Sequence, residues 1–175
     1  MSLRLSRLNG RHVNEIQALA GDEEIARWTD VPHPYPPDGA RAYVEQELRL
    51  CARGLHATFA VCEADRVVGI AGLARVPAVP DRAELGYWIG RPYWGHGHAT
   101  AAVAQMLTHG FDRMRLAVVF ARCFSANRAS TRVPEKLAFR FVGLEAPRDR
   151  HRRGEPIRRY ELTREEWRRR PFRGG

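Results

Sequence analysis

One stretch limits the architecture more than any other. Ala83 to Ile89 alternates in the period of a strand, Gly95 and Gly97 interrupt it, and Ala99 to about Phe111 is a run of small and apolar residues at helical spacing. A strand that turns through glycines into a helix packing back over it demands a sheet covered by helices, whatever the rest of the chain does. Around it the periodicities supply the partners. His56 to Glu63 and Arg66 to Ala74 are β-rich runs separated only by Ala64-Asp65, which predicts a hairpin. Leu116 to Phe124 is a nearly unbroken apolar strand, Asn127 is suited to cap a helix ending near Ala138, and Phe139 to Leu144 and Ile157 to Leu162 make two last strands joined by the polar stretch Pro147 to Pro156.

Upstream, Leu3, Leu5 and Leu8 open with a strand, and Val13, Ile16, Leu19 and Ala20 mark one helix face. A short helical turn covers Asp22 to Trp28. Val31-Pro32-His33-Pro34-Tyr35-Pro36-Pro37 can be neither helix nor central strand, because each proline fixes φ and removes a donor. Asp38 then caps a helix running to about Arg53, with Gly54 as its stop. The order is β, helices, β-β-β, α, β, α, β-β, an α/β (α+β) chain with a central mixed sheet.

The chain has 175 residues, the size of one domain. No apolar run approaches the ~18 residues of a membrane span, and the opening Met1-Ser2-Leu3-Arg4-Leu5-Ser6-Arg7 lacks the apolar block of a signal peptide, so the expected location is cytoplasmic. Cys51, Cys62 and Cys123 are odd in number and without CxxC spacing, which supports neither a disulfide framework nor a structural zinc site. The formal net charge is +9, of which residues 140–175 carry a net +6, and only Lys136 among 29 basic residues is Lys. So strong a skew to arginine reflects base composition better than a nucleic-acid site. The chain also lacks an RNA-recognition motif or interleaved aromatic platform, although an Arg-rich C-terminus docking on RNA or the ribosome stays open as a rival reading.

The turn Trp94-Gly95-His96-Gly97-His98-Ala99-Thr100 is the segment with chemistry. Glycines let a ligand approach the backbone, and the first turn of the following helix presents unpaired N–H groups at the positive end of its dipole, so a pyrophosphate fits. It is neither a P-loop nor GxGxxG. His96 and His98 have no acidic or cysteine partner at ligand spacing, so no metal is expected and both imidazoles are expected to be exposed.

Taken with this turn, Arg82-Ala83-Glu84-Leu85-Gly86-Tyr87-Trp88-Ile89 and Ser125-Ala126-Asn127-Arg128-Ala129-Ser130 through Phe139 make the chain resemble the GNAT N-acetyltransferase superfamily, in its RimJ/RimL-type branch. The likeness extends back through Ala26-Arg27-Trp28 and Pro32-His33-Pro34-Tyr35 and forward to Tyr160-Glu161-Leu162-Thr163-Arg164-Glu165-Glu166-Trp167. It implies a single GNAT domain over residues 1–167, an Arg-rich tail over 168–175, and a mostly antiparallel mixed sheet whose fourth and fifth strands splay.

The resemblance also implies acetyl-CoA as co-substrate and an amine acceptor, either a protein N-terminal α-amino group or a small molecule, with other acyl groups such as succinyl left open. The amides of Trp94, Gly95, His96, Gly97, His98, Ala99 and Thr100 would wrap the pyrophosphate. The segment through Tyr87, Trp88 and Ile89 would line the pantetheine, with an N–H near Tyr87 or Trp88 as oxyanion donor. Asn127 would bond the pantetheine, cap its helix, or both. Glu84 is the candidate general base; an ion-paired strand glutamate is the alternative. Many GNAT enzymes place a tyrosine seven residues after the asparagine, but here that residue is Pro134, and the branch's serine three residues after it, Ser130, takes the proton-donor role. Trp28, His33 and Tyr35 correspond to the acceptor wall. Ala138 stands where the family usually has Gly. Cys123 reads as a buried small hydrophobe. The branch's frequent homodimers make a second copy a candidate partner.

Overall fold

The computed structural model describes residues 3–146 and 155–170. In chain order the elements are β1 (Leu3–Arg7), α1 (Val13–Ala20), α2 (Glu23–Trp28), α3 (Gly39–Ala52), β2 (His56–Glu63), β3 (Arg66–Val76), β4 (Val79–Ile89), α4 (His98–Thr108), β5 (Val118–Phe124), α5 (Arg128–Lys136), β6 (Arg140–Glu145), β7 (Ile157–Thr163) and α6 (Arg164–Arg168). The seven strands form one open mixed sheet in the order β1-β2-β3-β4-β5-β7-β6, with β4 and β5 its parallel, splayed pair. No helix among the described residues is long and apolar enough to cross a membrane.

Cα packing resolves two compact units: the residues up to Ala74 with Leu85–Met106, and Arg75–Glu84 with the residues from Leu107 onward. In the first, β1 pairs antiparallel with β2, and β2 with β3, Phe59 facing Ala71. Val67 to Ala71 are all buried, which is why β3 reads as a continuous apolar run and not an alternating one. Leu8, Ile16, Ala40, Val44, Ala60, Cys62, Val67 and Ile70 form one core cluster against which Tyr35, Tyr43 and Trp88 pack. Each large side chain buried there contributes about 1.5–3 kcal/mol.

In the second unit β7 runs antiparallel between β5 and β6, Ala121 facing Tyr160. Phe111, Leu116, Val119, Ala121, Val133, Leu137, Phe139, Tyr160 and Leu162 are buried. Buried Tyr160 keeps its hydroxyl satisfied, donating to Glu135 Oε1 at 2.8 Å and accepting from Arg158 Nε at 2.9 Å. The other alternation of β7 carries Arg159 and Glu161, which join Arg82 and Glu145 in a chain of ion pairs at 2.6–2.9 Å. Part of the C-terminal arginine excess is therefore spoken for within the sheet.

Two local expectations are corrected and one helix is added. β4 begins at Val79, not Ala83, and contains Pro80; proline is tolerated near a strand's start, and Asp81 O already accepts from Ala117 N at 2.7 Å. Asp38 holds the N-cap position of α3 but makes no side-chain capping bond. Helix α6 was not anticipated, although Thr163 and Glu166 form a reciprocal capping box, a T-x-x-E signature legible in the sequence. Residues 147–154 of the joining stretch and 171–175 of the tail lie outside the described residues, while Arg168 ends α6 and Arg169 is its C-cap.

Candidate active site

The first unit contributes a site made mostly of backbone. β4 ends at Ile89, Gly90 N donates to Val68 O at 2.8 Å, and a short 3-10 turn (Arg91–Tyr93) leads to Trp94. The Trp94 indole N–H donates to Ile89 O at 2.6 Å, so this side chain fastens the turn to the strand end. Gly95 and Gly97 have φ of 81° and 78°, and a Cβ on either would meet nothing within 4 Å, leaving their surface open to a ligand. α4 then starts at His98, with Ala101 N bonded to Gly97 O at 3.0 Å, so the amides ahead of it belong to the unpaired first turn. Open glycines feeding a helix N-terminus fit a pyrophosphate.

His96 is exposed as expected, whereas His98 is not: only 11% of its side chain is accessible, its Nε2 lies 3.7 Å from Glu63 Oε1, and the His96 ring stacks on it at 5.7 Å. The helical register turns position 98 inward, where the pattern of neighbours in sequence gives no hint of Glu63.

Of the residues assigned to the acceptor wall, Tyr35 packs on the apolar cluster with Trp88, and burial pushes its phenol pKa up. Trp28 is half-buried with the Arg27 guanidinium 5.0 Å over its ring, and His33 is exposed. Tyr43, unassigned by sequence reasoning, joins Tyr35 on that cluster, its phenol raised strongly by burial and by nearby Glu47. The Glu47 carboxylate is itself buried, accepting from Thr58 Oγ1 at 2.5 Å and contacting His56 Nδ1 at 2.9 Å.

The second unit contributes side-chain chemistry. Glu84 is held in a bidentate pair with Arg122, Nε donating to Oε1 at 2.8 Å and Nη2 to Oε2 at 2.7 Å. Such fork geometry fixes orientation as well as charge. Arg122 Nη1 is buried without a hydrogen-bond partner among the described residues. Sequence reasoning missed this arginine, yet it is the lone charge in an otherwise apolar strand, and that was the available signal.

Asn127 is the N-cap of α5, its Oδ1 accepting from Ser130 N at 3.0 Å. The Nδ2 side of the amide lies outside that cap. Ser130 Oγ donates to Cys123 Sγ at 3.3 Å, so Cys123, buried as expected, also touches the candidate proton donor. Pro134 sits inside α5, and the helix closes in a Schellman motif, Phe139 N to Pro134 O at 2.9 Å and Ala138 N to Glu135 O at 3.0 Å. That motif puts Ala138 at φ 49°, the left-handed region that favours glycine.

A family model described as the acetyltransferase (GNAT) domain matches residues 2–140. The uncharacterized N-acetyltransferase p20 of Bacillus licheniformis is 28% identical over 125 residues, 70% of either chain. Among solved structures, the ribosomal L7/L12 alpha-N-protein acetyltransferase RimL in complex with coenzyme A superposes with a TM-score of 0.84 at 20% identity, covering 93% of this chain and 94% of that one. Spermidine N-acetyltransferase from Vibrio cholerae in complex with CoA and spermine gives 0.78 at 18% identity, covering 94% and 97%.

Proposed function

The chain belongs to the GNAT acetyltransferase domain family, an acyl-CoA-dependent N-acetyltransferase, and from that premise we propose that it transfers acetyl from acetyl-CoA directly to a primary amine in a ternary complex. The observation that carries the reading is the Gly95–Gly97 turn opening α4, whose amides suit the pyrophosphate of the carrier. In this reading the carrier is held chiefly by backbone, and Asn127 Nδ2 adds a bond to the pantetheine.

The chemical step needs a neutral amine, a donor for the thioester oxyanion and a proton for the departing thiolate. The amine lone pair attacks the thioester carbonyl carbon, and an N–H of β4 near Tyr87 or Trp88 supports the oxyanion. The C–S bond then breaks, the proton lost from nitrogen passes to Glu84 directly or through water, and Ser130 protonates the sulfur. Glu84 keeps lone pairs beyond those that Arg122 occupies, and the fork keeps its carboxylate in one orientation. An α-amino group, with a pKa of about 7.7–8.0 against about 10.4 for Lys, demands least of that base. This favours acceptors such as protein N-termini, for which RimL is the structural neighbour, over strongly basic amines.

The test is a thermal-shift and turnover screen of acetyl-CoA and succinyl-CoA against N-terminal peptides and small amines. Stabilisation by acetyl-CoA with product on an α-amino acceptor is the expected result. If acetyl-CoA neither stabilises the protein nor is consumed with any acceptor, the reading fails. Binding of RNA that weakens steeply with salt, in the absence of turnover, would favour the docking alternative instead.

A further inference from the structure

We propose that Cys123 is the positioning residue for the Ser130 hydroxyl, and that Pro134 completes the arrangement; the inference rests on the proton-donor role given to Ser130. Three observations meet here. The Cys123 thiol is buried at the end of β5, 4% exposed, and its sulfur accepts from Ser130 Oγ at 3.3 Å. The same sulfur lies 3.8 Å from the main-chain oxygen of Ser130 in donor geometry. In a regular helix that oxygen would accept from the N–H of residue 134, but residue 134 is proline and has none.

The thiol therefore works both ways: S–H toward the Ser130 carbonyl and sulfur lone pair toward the Ser130 hydroxyl, closing a small ring about one residue. The neighbouring Thr131 shows the ordinary alternative. Its hydroxyl turns back to donate to Arg128 O at 3.2 Å, as hydroxyls in a helix commonly do. For Ser130, Cys123 offers an acceptor outside the helix. Thiol sulfur is a weak acceptor, so it aims the hydroxyl without binding it tightly, which suits a group that must release its proton to a departing thiolate.

The test compares Cys123→Ala, Cys123→Ser and Ser130→Ala, singly and with Cys123→Ala combined with Ser130→Ala, in turnover with acetyl-CoA and an accepted amine. Cys123→Ala should lower kcat roughly five- to tenfold, a share of what a misplaced catalytic group loses, with the KM for acetyl-CoA within about twofold. Cys123→Ser, which restores a donor and acceptor, should recover most of that loss. In the Ser130→Ala background Cys123→Ala should change kcat no further, because its effect runs through the hydroxyl. If Cys123→Ala leaves kcat at the wild-type value, or lowers it equally in both backgrounds, the positioning role is wrong while the proton-donor role of Ser130 stands. If Ser130→Ala turns over like the wild type, both assignments fall. Should Cys123→Ala not fold, Cys123→Val fills the space of the thiol with an apolar side chain, removes the sulfur and takes its place under the same criteria.

Discussion

The two compact units differ in the kind of chemical group they offer. The first offers main-chain amides on an open glycine turn, where side-chain identity matters little: Trp94 contributes by tying the turn to Ile89, and His98 turns away toward Glu63. The second offers named side chains in fixed pairs, Glu84 with Arg122 and Ser130 with Cys123. Binding through backbone is sensitive to conformation and tolerant of composition, whereas proton transfer through side chains is the reverse. The contrast predicts which substitutions strike affinity and which strike rate.

The largest effect should come from the second unit. Glu84→Gln and Ser130→Ala should each lower kcat by about a hundredfold or more, the usual scale of general acid–base catalysis, while the dissociation constant for acetyl-CoA measured by calorimetry stays within about twofold. Equal losses in both parameters would break the division. Next, Gly97→Val places a β-branched residue at φ 78°. Strain of ~1–3 kcal/mol should weaken CoA binding by about ten- to hundredfold and leave kcat at saturation nearly intact.

A smaller effect, and of opposite sign, is expected at Ala138. Glycine at φ 49° relieves about 1 kcal/mol, so Ala138→Gly should raise Tm by about 2–4 °C with no change in CoA affinity; an unchanged or lower Tm would show that the left-handed position costs nothing.

The finest distinction is in acid. Each unit carries a capping box, Asn9 with His12 and Thr163 with Glu166. Burial holds the His12 pKa below 6.5, and the main-chain and side-chain bonds from Thr163 hold Glu166 below 4.5. For both groups the unfolded chain binds the proton more readily, so stability is retained at higher pH and lost as pH falls through the window below the unfolded value. Amide exchange should therefore loosen the Asn9–His12 cap first, on acidification past pH 6.5, and the Thr163–Glu166 cap only past pH 4.5. Simultaneous loosening would show that neither imidazole nor carboxylate governs its cap.

Much of this was legible in the sequence because it is local. The β2–β3 hairpin, the glycine turn into α4 and the Asn127 cap follow from residues within a few positions of one another. The family's usual glycine before Phe139 also points to the left-handed residue at 138, although the reason became visible only in the Schellman closure. The misses had two sources. The Thr163-x-x-Glu166 box was present and unread, and the start of β4 was hidden by a proline that a strand's first residues tolerate.

Other features could not be read from any local pattern. Arg122 lies 38 residues from Glu84, and Glu63 lies 35 before His98; which partners meet depends on strand register and on how each helix is rotated over the sheet. By itself the sequence determined the order of the strands and main helices, the glycine turn ahead of α4 and the residue types able to move protons, since spacing over one or two turns sets those. Only the tertiary structure decided that Glu84 is clamped and that Ser130 aims at a thiol. A side chain's partner is fixed by packing between segments, and no local propensity encodes that choice.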